Sequence, residues 1–131
     1  MKTWILLATA GVLGVAAVQS NGAEPQDDLR ALMKKKLESS QRVLEGLAAN
    51  NFETVSKNAS ELQRISKAGE FAVLKTPQYD AYRNQFRWAA EMLEEMAKAK
   101  NGDGAGLVYV ELTLTCLKCH KHVREAGLPG K

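Results

Sequence analysis

Two cysteines and a histidine stand together near the end of this 131-residue chain, in the run Cys116-Leu-Lys-Cys119-His120. The chain has no other cysteine. Two thiols three residues apart can each form a thioether with one vinyl group of a haem, and the adjacent imidazole then serves as the proximal iron ligand. On a helix, Cys116 and His120 share a face because they are four residues apart. The spacing therefore predicts one covalently bound haem c whose iron binds His120.

Three other uses of these residues are less consistent with the sequence. A structural zinc site needs about four ligands, and beyond the motif the chain offers only His122 and carboxylates. A thioredoxin-like redox pair belongs at the start of a helix after a strand, whereas this motif lies near the end of a predicted helix. A disulfide between Cys116 and Cys119 would be strained in a helix and would leave His120 without a role.

The first residues have the pattern of an export signal. A basic start at Lys2 precedes the uncharged apolar run Trp4–Val18, and small polar residues follow it. This order predicts a cleaved signal peptide over residues 1–23 and a single mature domain over residues 24–131. The apolar run is shorter than the ~18–20 residues of a spanning helix, so we expect a periplasmic protein with no stable membrane span after cleavage. An uncleaved membrane anchor is the alternative.

Composition excludes several classes of function. The chain has 18 basic and 15 acidic residues and a net charge of +3. The basic residues are interspersed with acidic ones, which is not the pattern of a nucleic-acid-binding surface. No Ser-His-Asp set, paired-carboxylate signature or glycine-rich phosphate loop is present. We therefore expect neither an enzyme nor a nucleic-acid-binding protein.

Apolar residues recur at steps of three and four through four segments, which predicts helices. Asn51 and Thr76 are predicted N-caps, the latter followed by Pro77 at the first helical position. Asp103 is the predicted cap of the last helix. The segments are residues 27–50, 52–67, Pro77 through Met96 and beyond, and 105–125. Short connections between them predict an all-α, antiparallel four-helix bundle with the covalent haem near its C-terminus.

Side-chain patterns then predict what faces the interior of this bundle. On the first helix we expect an inward stripe that contains Leu29, Met33, Leu37 and Leu44. The larger aromatic residues are predicted to form core or haem-pocket walls; they are Phe52, Tyr82, Phe86 and Trp88.

A C-terminal CxxCH in a four-helix bundle, continued here to Arg124 as CLKCHKHVR, resembles the class II c-type cytochromes, cytochrome c′ and cytochrome c-556. The resemblance covers the predicted mature chain in helix layout, and only the final motif is specific. It implies that Cys116 and Cys119 bind the vinyl groups and that His120 is the fifth iron ligand. It also implies that Arg124 lies near the haem edge and its propionates, and that a homodimer forms through the first two helices.

The same resemblance places the distal face of the haem on the first helix, with an apolar residue in cytochrome c′ and Met in the low-spin relatives. Met33 is the candidate here, and its ligation predicts a six-coordinate, low-spin carrier of single electrons for a redox partner protein. Met33 as mere packing is the alternative, because Met is a common core gap-filler. Iron would then be five-coordinate and open to nitric oxide or carbon monoxide.

Two further features have simpler predicted roles. The Lys34–Lys36 run is predicted to be a solvated face that could dock an acidic partner. Iron ligation by one of these lysines is less favourable, because a lysine binds iron only after losing its proton. His122 lies about 200° around the helix from His120 and is predicted to be a surface histidine that does not bind the same iron.

Overall fold

The computed structural model describes residues 25–68 and 73–127, with side chains from Asp27 onward. These ranges contain four helices and no strand: α1 (Pro25–Ala48), α2 (Phe52–Lys67), α3 (Pro77–Lys98) and α4 (Gly102–Glu125). The predicted all-α, four-helix fold is confirmed. None of the four helices combines the length and apolar character that crossing a bilayer requires. The predicted signal peptide, residues 1–23, lies outside the described residues.

Side-chain caps begin three of the helices. Asn51 accepts a hydrogen bond from the Thr54 N–H (3.0 Å), and Thr76 Oγ1 accepts one from the Tyr79 N–H (3.1 Å), as predicted. At α4 the prediction is wrong, because Asn101 rather than Asp103 is the cap. Asp103 instead lies in the first turn, where its negative charge interacts favourably with the helix dipole.

Two similar turns join α1 to α2 and α3 to α4. In each, one residue adopts the left-handed conformation, Asn50 with φ 51° and Lys100 with φ 55°. The next N–H then donates back across the helix end, from Asn51 to the Gly46 carbonyl (2.8 Å) and from Asn101 to the Met96 carbonyl (2.9 Å). This is the Schellman arrangement, in which the last carbonyls of a helix find donors.

Near these two turns the helices are closely packed, and we call this region the closed half. It is built around Val55, Ala59, Leu93, Ala97 and Ala105, all buried. Alanine at three of these five positions lets neighbouring backbones approach each other. The whole buried core comprises Val43, Val55, Ala59, Leu62, Phe86, Ala89, Ala90, Leu93, Ala97, Ala105 and Leu112.

Three of the four neighbouring helix pairs pack along their lengths, and the fourth does not. Thr76 meets His122 and Gln85 meets Glu111, so α3 and α4 run in opposite directions. α1 and α4 touch at only a few points, one of them a hydrogen bond from Ser40 Oγ to the Tyr109 hydroxyl (3.5 Å). The bundle is therefore open between α1 and α4, and we call this opening the α1–α4 seam.

The inward face of α1 differs from the predicted stripe. Leu37 and Leu44 are 59% and 52% exposed, whereas Ser39 and Val43 are buried. The residues that face inward stand one position earlier in the chain than the predicted ones. This difference corresponds to a rotation of about 100° around the axis of α1. Small side chains on that face, together with Gly46, allow α1 to pack closely against α2.

Trp88 is also wrongly predicted to be inside, since it is 51% exposed. Phe86 is buried on the same helix, and a residue two positions away points about 200° around the helix axis. Tyr82 is half-buried, and Phe52 packs against the core from its edge.

Candidate functional site

The CxxCH motif lies wholly within α4 and ends at His120, five residues before the helix ends at Glu125. Cys116 and Cys119 are free thiols and both are half-buried. Together with His120 they line one cavity, which we call the motif cavity. The helical geometry thus presents both thiols and the imidazole to the same space, as the spacing predicts.

All four helices contribute to the motif cavity, which has a volume of about 50 Å³ and opens to solvent. Met33 and Lys36 face it from α1, and Ser66 from α2. The α3 wall consists of Tyr79, Tyr82, Arg83 and Phe86. An aromatic wall with a few polar groups is typical of sites for organic ligands.

A second, larger space adjoins the motif cavity along the α1–α4 seam, and we call it the seam groove. It measures about 530 Å³, and Met33, Lys36, Cys116 and His120 line both spaces. Leu117, which is 62% exposed, forms part of its outer wall. The region around the motif is therefore accessible from the side of the bundle.

The structure brings together four of the five predicted site residues. Met33 lies near the start of the described chain and His120 near its end, yet they line the same cavity. Arg124, the fifth, is exposed in the last turn of α4 and lines neither space.

Burial and nearby positive charges shift the ionisation of the motif. Burial lowers the pKa of His120, and the charges of Lys36 and Arg124 lower it further. These effects favour the neutral imidazole, which is the form that binds a metal. Burial raises the pKa of both thiols, with Lys36 acting in the opposite direction. A raised thiol pKa is contrary to the lowered value that activates cysteines of redox pairs.

Lys36 does not belong to a solvated face, contrary to prediction. Its Nζ lies 3.4 Å from the centroid of the Phe86 ring, a cation–π contact. Burial lowers the pKa of its amine, and the positive charge of Arg83 adds to this effect. The sequence does contain a signal for this placement of Lys36. Lys36 is three residues from Met33 and therefore lies on the same side of α1.

His122 is half-buried rather than a simple surface residue. Its Nε2 lies 3.0 Å from Thr76 Oγ1, and its ring meets the Tyr82 ring edge-on at 6.0 Å. The Thr76 hydroxyl accepts from the Tyr79 N–H and can donate its own proton to Nε2. His122 therefore connects the end of α4 with the start of α3 through these contacts. It does not line the motif cavity.

Ser66 is the polar residue of the cavity whose hydrogen bonding is incomplete. It is 7% exposed, and its Oγ has no hydrogen-bond partner. A buried hydroxyl without a partner is unfavourable unless a bound group completes it. Nothing in the sequence distinguishes Ser66 from other serines, because its burial arises from the packing of α2 in the bundle.

Within residues 25–68 and 73–127, no three His, Cys, Asp or Glu side chains gather closely enough to hold a metal ion among themselves. No protein-family model matches the chain, and no curated protein and no solved structure matches it. Function is therefore inferred from the residues that line the two spaces.

Proposed function

We propose that this chain is an exported monohaem c-type cytochrome that carries single electrons, of the kind that class II cytochromes exemplify. In this proposal Cys116 and Cys119 hold the haem through thioethers, His120 is the proximal iron ligand and Met33 the distal one. One observation carries the proposal: both thiols, His120 and Met33 line a single cavity, although they come from α1 and α4.

The chemistry of these side chains fits a covalent haem. Two thiols and an imidazole on one helix face match the attachment signature, and the Met33 thioether on α1 could supply a further ligand to the iron. When bound, the haem iron supplies a one-electron couple. Phe86 and Tyr79, both buried, would form part of the apolar wall against the haem. The open seam leaves a route by which a partner protein can approach.

Export to the periplasm, a redox partner protein and the absence of independent catalysis all belong to this proposal. The resemblance to class II cytochromes also implies a homodimer through α1 and α2. Leu44, which is 52% exposed on α1, would expose less apolar surface to solvent in such a dimer.

A second candidate is a five-coordinate protein that binds nitric oxide or carbon monoxide. The observation in its favour is the seam groove, which adjoins Met33 and has a volume of about 530 Å³. Space beside Met33 would admit a diatomic ligand if the thioether only packs.

The optical spectrum of the oxidised protein, produced in a host that attaches haem c, tests the proposal. We expect a low-spin spectrum with the weak long-wavelength band of a Met–iron bond. Met33→Ala should give a high-spin spectrum that responds to carbon monoxide after reduction. Met92→Ala is the matched control, because Met92 is half-buried on α3 and lines neither space.

Three results would contradict parts of the proposal. A high-spin wild-type spectrum that changes with nitric oxide would replace the electron carrier with the gas-binding protein. An unchanged spectrum in Met33→Ala would remove Met33 from the iron. Protein that leaves such a host without covalent haem, measured as the pyridine haemochrome, would reject the cytochrome itself.

A further inference from the structure

The motif cavity carries an excess of positive charge. Lys36 from α1 and Arg83 from α3 both line it, and none of its lining residues is acidic. The carboxylate that Arg83 meets is Asp80, at 3.7 Å, and the side chain of Asp80 is 62% exposed. An exposed pair at this distance is weak, so Asp80 neutralises little of the charge inside the cavity.

A second observation points to a ligand with oxygen atoms. Ser66 Oγ lines the same cavity, is nine-tenths buried, and has no hydrogen-bond partner. Tyr79 Oη, on the wall of the same cavity, accepts a hydrogen bond from the Val73 N–H (3.5 Å). A hydroxyl in this position can donate to an anionic oxygen inside the cavity.

We propose that Lys36, Arg83 and Ser66 form an anion site in the motif cavity that binds a carboxylate group. The planar guanidinium matches a carboxylate with two parallel hydrogen bonds, the ammonium adds a point charge, and the hydroxyl donates a further bond. This assigns carboxylate binding to cations that line the cavity rather than to Arg124, which is exposed outside it.

Two sources supply such a carboxylate. One is the porphyrin's own propionate, and in this form the inference rests on the proposed function. The other is a small free carboxylate, for which formate is a suitable probe. Because the second source does not require haem, the two can be separated by experiment.

The test compares two double variants of the full chain. Lys36→Met with Arg83→Gln removes both cavity charges. Lys35→Met with Arg87→Gln is the control, since it makes the same charge change on the same helices and neither residue lines a cavity. Ser66→Ala provides a milder third variant in case the first one folds poorly. Circular dichroism checks that each variant is helical.

Resonance Raman spectra report on the first source, because the propionate bending band responds to hydrogen bonding. We expect this band to shift in the cavity variant and in Ser66→Ala, and to stay in place in the control. Calorimetric titration with sodium formate at constant ionic strength reports on the second source. Saturable binding that weakens by about tenfold or more in the cavity variant, the effect of a lost charge-assisted bond, would assign the site to a free carboxylate.

An unchanged Raman band combined with no saturable formate binding to the wild type would overturn the anion site. Purified protein that lacks covalent haem would reject the proposed function, and the formate titration alone would then decide whether the anion site exists. The two proposals therefore fail in different ways.

Discussion

The closed half of the bundle and the half that surrounds the motif cavity are built from different residues. In the closed half, Ala59, Ala97 and Ala105 are buried between helices, and small side chains allow close interaxial distances. Around the motif cavity, long or aromatic side chains such as Lys36 and Arg83 surround open space instead.

This difference shows how one bundle combines stability with a binding site. The closed half is built from buried apolar side chains and gains its stability from their contacts with one another. The cavity half keeps its helices apart, and a bound group there would supply contacts that the side chains do not make with one another. Four substitutions test this division, from the largest expected effect to the smallest.

Under the proposed function, replacing both motif thiols, Cys116→Ser with Cys119→Ser, should abolish covalent haem. The free energy of unfolding should fall by about 3 kcal/mol, because the attached haem would fill the cavity in the folded state and its loss resembles a large truncation in the core. Hydrogen exchange should increase around the motif cavity and remain slow in the closed half. Lys118→Ser is the control, since Lys118 is exposed within the motif and lines neither space. Equal loss of protection in both halves would contradict the division.

Leu93→Ala should destabilise the closed half by about 2–5 kcal/mol, the usual cost of a cavity at a fully buried leucine. The optical spectrum should be unaffected, since Leu93 lines neither space. Urea unfolding measures the first effect. Leu107→Ala, at a residue 75% exposed, should change stability by less than about 0.5 kcal/mol, and a comparable loss there would refute the assignment of the core.

Gly46→Ala should cost about 1–3 kcal/mol through overpacking. A Cβ on Gly46 would lie 2.9 Å from Val55 Cγ2 and 3.1 Å from two backbone atoms, which cannot move aside easily. Gly106→Ala, in open space on α4, should instead stabilise the protein by about 0.5–1 kcal/mol through helix propensity. Thermal melts followed by circular dichroism measure both, and equal changes in the same direction would contradict close packing at Gly46.

Glu94→Gln should cost about 0.5 kcal/mol near neutral pH. Glu94 accepts hydrogen bonds from Lys98 (2.6 Å) and Gln63 (2.6 Å), and these bonds lower its pKa from the ordinary 4.5. A lowered carboxyl pKa stabilises the fold above that ordinary value, and the stabilisation is lost as pH falls through the folded-state pKa. The difference from wild type should thus disappear in acid. Glu91→Gln, which removes the same charge at an exposed site on the same helix, is the control.

Local signals in the sequence were sufficient to predict four helices and most of their ends. Asn51 and Thr76 satisfy N–H groups within three residues of themselves, so their roles do not depend on the rest of the fold. The wrongly predicted cap of α4 shows the limit of this approach. Asp103 was predicted and Asn101 is the cap, and the two cannot be told apart locally because both residue types are good caps and they are two positions apart.

The side of each helix that faces inward was harder to predict. Leu37 is next to Lys36, and hydrophobicity alone favours burying Leu37, yet the packing of α1 on α2 turns Lys36 to the cavity and Leu37 to solvent. The apolar four-carbon stem of Lys36 makes the burial of this side chain tolerable. Arg83 and Ser66 were not identified from the sequence at all, because their proximity to the motif results from three-dimensional packing.

The open seam also bears on how the chain folds. Every extensive helix pairing joins neighbours in the sequence, whereas the pairing of the first helix with the last is slight. Such a topology has low contact order, which is associated with rapid folding. The polypeptide can therefore form its bundle through local pairings alone, and a planar group can enter sideways through the seam without any segment having to thread around it.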